Sequence, residues 1–346
     1  MPRVAVVGAG VAGLTVAYEL RGRAADVTLY EKSRGYGGRA ATRGRYGCRY
    51  DHGAPYVQPT SARVDRLLRG HLPTEQLVRV PGPVWLFDAE GTLRRPAVDD
   101  ARPRWTYTHG ISTLGKLLAH YGRAEVHRET RIEAVRRREG GWRLRTAAGA
   151  ESRTYDAVVL TPPAPQSAAL LGPGSSGDAV RSVRTALEAV DYAPQFAYVL
   201  AYDRPLARQR RVYGLQSDAE QHPIDWIGLE NRKPGHVPDG QTLLVVHTSP
   251  AWTAPRVDND PAAHVDPVIA EAEALLSEDL RGPAWTDTQR WRYARPVSAV
   301  DPAALEAGAE AGLFVAGDGA AGRGSVSAAI ESGLETAARL REGLGA

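Results

Sequence analysis

Residues 3–8, Arg-Val-Ala-Val-Val-Gly, form a short apolar run rich in β-branched side chains. An unbroken run of this kind predicts a strand buried on both faces of a parallel sheet. Residues 11–21 follow with helix formers and apolar positions at Val11, Leu14, Tyr18 and Leu20. A second apolar run over 26–31 completes a strand–helix–strand unit, whose crossover is right-handed. The buried-strand pattern returns at 156–161, where Pro162-Pro163 cuts it off, and again at 313–318, ahead of a helix over 325–343. One domain is therefore expected from both ends of the chain, over 1–70, 105–163 and 297–346.

The intervening segments have other periods. Residues 33–53 read as a Gly- and Arg-rich loop, and loops of that length usually serve a function. Residues 84–95 alternate around Glu90-Gly91 and predict a hairpin. A helix is expected over 112–121, capped by Ser112 or Thr113. Paired strands are expected at 124–137 and 142–147, joined by Glu139-Gly140-Gly141. Half-alternating strands at 195–202, 211–216 and 241–248 and a helix over 262–280 lie in a stretch rich in Trp and Pro. Residues 71–104 and 164–296 are thus expected to form a second, substrate-binding domain of mixed sheet and helices. The fold class is α/β, a Rossmann-type domain with a mixed β-sheet domain inserted in it.

Composition narrows the function classes. The 346 residues are 43% apolar and 24% charged, ordinary for a globular protein of two domains. The lone Cys48 excludes a disulfide framework and a cysteine zinc cluster. The net charge of +3 rests on Arg; Lys32, Lys116 and Lys233 are the only lysines. The Arg are scattered along the chain rather than gathered on one element, which argues against a nucleic-acid partner. No run reaches the ~18 apolar residues of a membrane span. Glycines interrupt the apolar stretch between Met1 and Leu20, and no cleavage site is evident. The expectation is a cytoplasmic protein without a membrane partner.

Three motifs carry chemistry. Gly8-Ala9-Gly10-Val11-Ala12-Gly13 follows a strand and opens a helix, the context in which GxGxxG binds a dinucleotide. Gly8 serves the turn, Gly10 the approach of a pyrophosphate and Gly13 close helix packing. Glu31 ends the second strand, eighteen residues after Gly13, where a carboxylate accepts ribose hydroxyls. Lys32 follows it, and then Gly37-Gly38-Arg39, whose glycines pass a pyrophosphate and whose Arg neutralises it. Gly317-Asp318-Gly319 ends the last strand, and Ser325-Val326 starts a helix whose N-terminus stabilises negative charge on a reduced ring. The combination points to FAD.

The segments 31–56, 158–170, 225–252, 291–296 and 313–340 resemble the renalase-like members of the flavin-containing amine oxidase superfamily. The Lys32-Ser33-Arg34-Gly35-Tyr36-Gly37-Gly38-Arg39 and Tyr293-Ala294-Arg295-Pro296 elements carry the likeness most specifically. The resemblance implies a two-domain FAD oxidase. Hydride passes from a small molecule, a dihydro isomer of NAD(P), to flavin N5, and O2 is then reduced to H2O2. Gly53, Ala54, Pro55 and Ile132 join the FAD contacts, and Tyr56 and His52 are the catalytic candidates. Trp226, Asn231, His247, Trp252 and Tyr293 are candidate substrate contacts, and Arg295 is a candidate for a phosphate or carboxylate. Pro55 stands where the renalase pattern has Gln, and Gly319 where it has an aromatic. Cys48 is remote from the C-terminal position at which amine oxidases tether FAD, so FAD is expected to be non-covalent. No metal constellation appears among the nine His. Other readings remain open: an amine oxidase or desaturase of another small molecule, for instance in secondary metabolism, a non-redox flavoenzyme of the UDP-galactopyranose mutase type, and a flavin-binding protein without catalysis.

Overall fold

The computed structural model describes residues 1–22, 25–96, 102–172, 177–207 and 212–344. Two sheets organise the chain. The first has five parallel strands in the order Leu313–Val315, Ala157–Leu160, Arg3–Val7, Asp26–Tyr30, Glu125–His127. The central runs are short and apolar because helices cover one face and mixed elements the other, while the edge strand Glu125–His127 is largely polar. On one face, Leu14, Leu114, Ile330 and Leu334 share a cluster with Val4, Val6 and Val159; they come from the helices Val11–Leu20, Ser112–Gly122 and Val326–Leu344. On the other, Ala5, Val7, Val158 and Leu160 meet the hairpin Ile132–Arg138/Gly141–Thr146 and the helices Ala164–Leu171 and Asp178–Glu188. Residues 164–188 were expected in the inserted domain, with no helix foreseen there, but the apolar faces of these two helices pack with the dinucleotide fold. The Pro162-Pro163 pair ends the strand, Pro163 is the N-cap of the helix that follows, and Pro165 sits in its first turn, where a proline fits.

The second sheet has seven strands, ordered Trp285–Pro296, Tyr192–Tyr202, Thr242–Thr248, Ile224–Leu229, Gly214–Ser217, Val84–Phe87, Leu93–Arg94. One face packs Phe196, Tyr198, Leu244 and Val246 on the helix Val265–Leu276. The other buries Val199, Ala201, Leu243 and Val245 against Cys48 and Tyr50 of the first domain. The strands 192–202 and 242–248 are therefore buried on both faces along most of their length.

Several expectations need correction. The loop over 33–53 contains an antiparallel hairpin, Thr42–Arg45 with Cys48–Asp51. The stretch 124–137 is two strands, and Glu125–His127 joins the parallel sheet instead of the hairpin. The helix at Ser112 is not capped by its own side chains. Its first N–H groups donate to distant ones: Ile111 N to Asp51 Oδ1 at 2.9 Å and Ser112 N to Thr42 Oγ1 at 3.0 Å. Strand 211–216 begins at Gly214, and Arg211 lies outside the described residues. Strands Ile224–Leu229 and Trp285–Pro296 were not expected. No described helix is long and apolar enough to cross a membrane.

Candidate functional site

The cradle begins at Gly8, whose φ of +103° turns the chain out of its strand and whose N–H donates to the Tyr30 carbonyl at 2.8 Å. A Cβ on Gly13 would collide with the Gly8 carbonyl oxygen, whereas a Cβ on Gly10 would meet no atom within 4 Å. No side chain caps the helix that starts at Val11, and its first turn carries no acid. The N–H groups of Val11, Ala12 and Gly13 thus remain for an anion. Glu31 is buried, and its carboxylate accepts from Ala9 N and from Ser33 N, both at 2.7 Å. Lys32 beside it is exposed. Gly38 crosses the turn closely enough that its Cβ would lie 3.2 Å from Gly10 Cα. Ile132 is buried with Val7 on the other side of the sheet.

Arg39 ties this cradle to the far end of the chain. It pairs with the Asp318 carboxylate at 2.6 Å and donates to the carbonyls of Tyr293 and Ala294 at 3.1 and 3.2 Å. Gly317 N donates to Ser332 Oγ at 2.9 Å. A Cβ on Gly319 would stand 2.6 Å from the Tyr192 hydroxyl, so Tyr192 occupies the space that an aromatic at 319 would need. Ser325 Oγ accepts from Ala328 N at 3.0 Å and caps the helix whose first residue, Val326, is buried. The open face at Gly10, the uncapped helix and the Arg39–Asp318 junction fit a pyrophosphate and its ribityl chain.

The strip Asp51–Tyr56 runs along the seam between the domains. Asp51, Glu230, Lys233 and His236 form a wholly buried ionic network beneath it. Lys233 Nζ donates to Asp51 Oδ2 at 2.8 Å and forms an ion pair with Glu230 Oε1 at 2.7 Å. The ring nitrogens of His236 face Glu230 Oε2 at 2.9 Å and the Tyr107 carbonyl at 3.0 Å. Burial opposes ionisation of Asp51, yet Lys233 and His236 hold its carboxyl below the usual range. Burial likewise opposes charge on Lys233, but Asp51 and Glu230 raise its pKa. Asp51, Glu230 and His236 bring ligand-type atoms within 4.8 Å of one another, and the Lys233 ammonium supplies the cation there.

His52 stacks on Trp291 with centroids 5.4 Å apart and planes 12° from parallel. Its carbonyl accepts from Trp291 Nε1 at 3.0 Å and lies 3.3 Å from His247 Nε2. Burial, then Arg43, pushes the His52 imidazole down to about 4, and burial pushes His247 down to about 3. The Nδ1 of His52 is buried with no partner among the described residues. Gly53 follows against the Arg39 carbonyl, and then Ala54 and Pro55, both partly exposed. Tyr56 packs edge-on to Tyr213 and Trp226, at 6.0 and 6.1 Å, with the Arg104 guanidinium 5.6 Å from its ring centre.

The structure thus brings Tyr56, His52, Trp226, His247 and Tyr293 to one seam, with Arg295 paired to Asp225 beside Trp226, but not Trp252 or Asn231. Trp252 packs on Phe196 and Tyr198, on the opposite face of the sheet. Asn231 is exposed on the turn Glu230–Arg232 and lines a cavity of about 220 Å³ with Val237, Gln241 and Leu276. Sequence reasoning passed over Asp51, Lys233, Trp291 and Arg104. Lys233 carried one signal, its rarity as a lysine in an Arg-rich chain.

Fold and site define an FAD-dependent oxidoreductase of the two-domain Rossmann type. The chain belongs to the flavin containing amine oxidoreductase family, whose pattern matches residues 84–341. The NAD(P)-binding Rossmann-like domain pattern matches residues 6–70. Among solved structures, the chain is similar to a candidate protoporphyrinogen oxidase from Exiguobacterium sp. 255-15 (TM-score 0.76, 17% identity, 100% and 99% of the two chains covered). It is also similar to putrescine oxidase bound to putrescine (TM-score 0.73, 13% identity, 99% of each chain). A fatty acid isomerase from P. acnes shares the fold as well (TM-score 0.72, 14% identity, 98% of each chain). One fold therefore carries several chemistries, and the substrate must be argued from the site.

Proposed function

We propose that the chain is a renalase-like oxidase that takes a hydride from a 2- or 6-dihydro isomer of NAD(P)H, with FAD held non-covalently. FAD held by the Gly8–Gly13 turn and Arg39 would supply the hydride acceptor, and O2, with one proton from solvent, would leave as H2O2. The observation that carries the reading is the absence of a ready proton acceptor at the described seam. His52 and His247 are held neutral and are weak bases, and Asp51 and Glu230 are committed to Lys233. A dihydropyridine regains aromaticity as its hydride leaves and needs no base, so orientation is the main demand on the protein. The partly exposed rings of Tyr56 and Trp291, backed by Trp226 and His52, are the surfaces available for that task. Non-covalent binding is supported by Cys48, whose buried thiol lies 3.5 Å from Gln241 Oε1, beneath the sheet.

The reading is tested by anaerobic titration of the holoprotein with the dihydro isomers, with the 4-dihydro forms as control. Loss of oxidised-flavin absorbance with the isomers alone, reversed by air with peroxide formed, is the expected result. No bleaching beyond the control overturns the reading. The limiting rate of flavin reduction should also vary by less than about twofold between pH 5.5 and 8, since both imidazoles stay neutral across that window. A stopped-flow profile with a step near pH 6.5 that Asn at position 52 abolishes would instead make His52 a working base.

A further inference from the structure

The carboxylates at this seam are already paired. Asp51 and Glu230 hold Lys233, Asp287 holds Arg43 at 2.8 Å and Asp318 holds Arg39. Asp225, next to Trp226, pairs with Arg295 at 3.0 Å and accepts from the amides of Gln195 and Gln216, each at 3.3 Å. Burial raises the Asp225 carboxyl in spite of Arg295. A substrate ammonium would find none of these five carboxylates unpaired.

One cation is in the opposite condition. The Arg104 guanidinium stands over Tyr56, forms no ion pair with a described carboxylate, and has a buried Nε without a hydrogen-bond partner among the described residues. Tyr56 meets edge-on the Trp226 indole, which lies across Gly214 and Gly228 and whose N–H has no partner among the described residues. The partly exposed Tyr56 ring, backed edge-on by the buried Trp226, thus carries a guanidinium that has no carboxylate partner among the described residues. Arg offers a planar fork of donors matched to phosphate or carboxylate oxygens.

We propose that Arg104 is the anion-recognising residue of the substrate site, which admits a planar ring joined to a phosphate or carboxylate and turns ammonium substrates away. The inference rests on the reading of this seam as the substrate site, but not on which ring is oxidised. The test is equilibrium binding to the oxidised holoenzyme, followed by perturbation of the flavin spectrum, with NAD⁺, nicotinate, nicotinamide and putrescine as probes. For NAD⁺ or nicotinate, Arg104→Met should weaken binding about tenfold to a hundredfold, the worth of a charged hydrogen-bond pair. Nicotinamide binding should change less than about threefold, and anion binding to the unmutated enzyme should weaken with salt. Arg104→Lys should fall between the two, and it decides the case if the methionine variant does not fold. Loss of nicotinate binding alone would assign the anion to a ring carboxylate, supporting this inference while counting against a dinucleotide substrate. Unchanged anion affinity in both variants, no anion binding at all, or putrescine binding more tightly than either anion would overturn it. Tight, Arg104-dependent NAD⁺ binding without reduction by dihydro isomers would leave it standing and remove the renalase-like reaction.

Discussion

Lys233→Met is expected to destabilise the apoprotein by about 3–5 kcal/mol at pH 7.5, read as a lower urea midpoint. The side chains of Lys233 and Asp51 are fully buried, and that of Glu230 is 1% exposed. Methionine fills a similar volume but takes the ammonium away and leaves His236 as the one remaining cationic partner of the two carboxylates in this network. The loss should shrink on acidification. In the native network Asp51 is held below its ordinary pKa, so its contribution is present above the unfolded value and is lost as pH falls through the folded one. In the variant Asp51 stays buried but has lost its ammonium, so it takes up a proton more readily than in the native network and the variant gains on the native protein as pH falls. At pH 5 the gap between the two proteins should therefore be clearly narrower than at pH 7.5. Equal midpoints at pH 7.5 would mean that the network contributes nothing to holding the domains together. The consequence reaches the site through Asp51, whose N–H donates to Glu230 Oε2 at 3.0 Å one residue before His52.

The cradle was legible in the sequence and the seam was not, for a physical reason. Gly8 to Gly13 and Glu31 lie on one strand–helix–strand unit, where spacing fixes geometry. The seam gathers Asp51, Arg104, Lys233 and Trp291, which belong to four separate segments, so no local period reports their meeting. Strand Trp285–Pro296 escaped for a related cause. Its polar residues look like a loop, yet Asp287 accepts from Arg43 and Tyr50, at 2.8 and 2.7 Å, across the domain boundary. The cap of the helix at Ser112 comes from Asp51, sixty positions from Ile111, and is invisible to a window of a few residues. Trp252 shows the converse error. It was a candidate wall for a flat substrate, but the chain turns into the helix Pro250–Thr253 and carries the indole to the other face of the sheet.

Gly10→Val and Gly13→Ala should separate binding from folding within a single motif. Gly13 lies in the helix Val11–Leu20, where alanine would ordinarily stabilise by about 1 kcal/mol. Here its Cβ would overlap the Gly8 carbonyl oxygen and stand 3.1 Å from Val6 Cγ1. Overpacking of this kind costs about 1–3 kcal/mol and outweighs the propensity gain, so Gly13→Ala should lower the stability of the apoprotein. Gly10 has φ −72° and ψ 174°, extended backbone that valine adopts without strain, and a Cβ there meets nothing. Gly10→Val should therefore leave apoprotein stability within about 0.5 kcal/mol. Its methyl groups would instead stand where a pyrophosphate must approach the N–H groups of Val11 and Ala12, and FAD affinity should fall by about a hundredfold or more. Urea midpoints of the two apoproteins and quenching of FAD fluorescence on reconstitution give the two readouts. A Gly10→Val protein that keeps its flavin through purification would place the pyrophosphate elsewhere. Equal destabilisation in both variants would mean that Gly10, like Gly13, is held by packing and not kept open for a ligand.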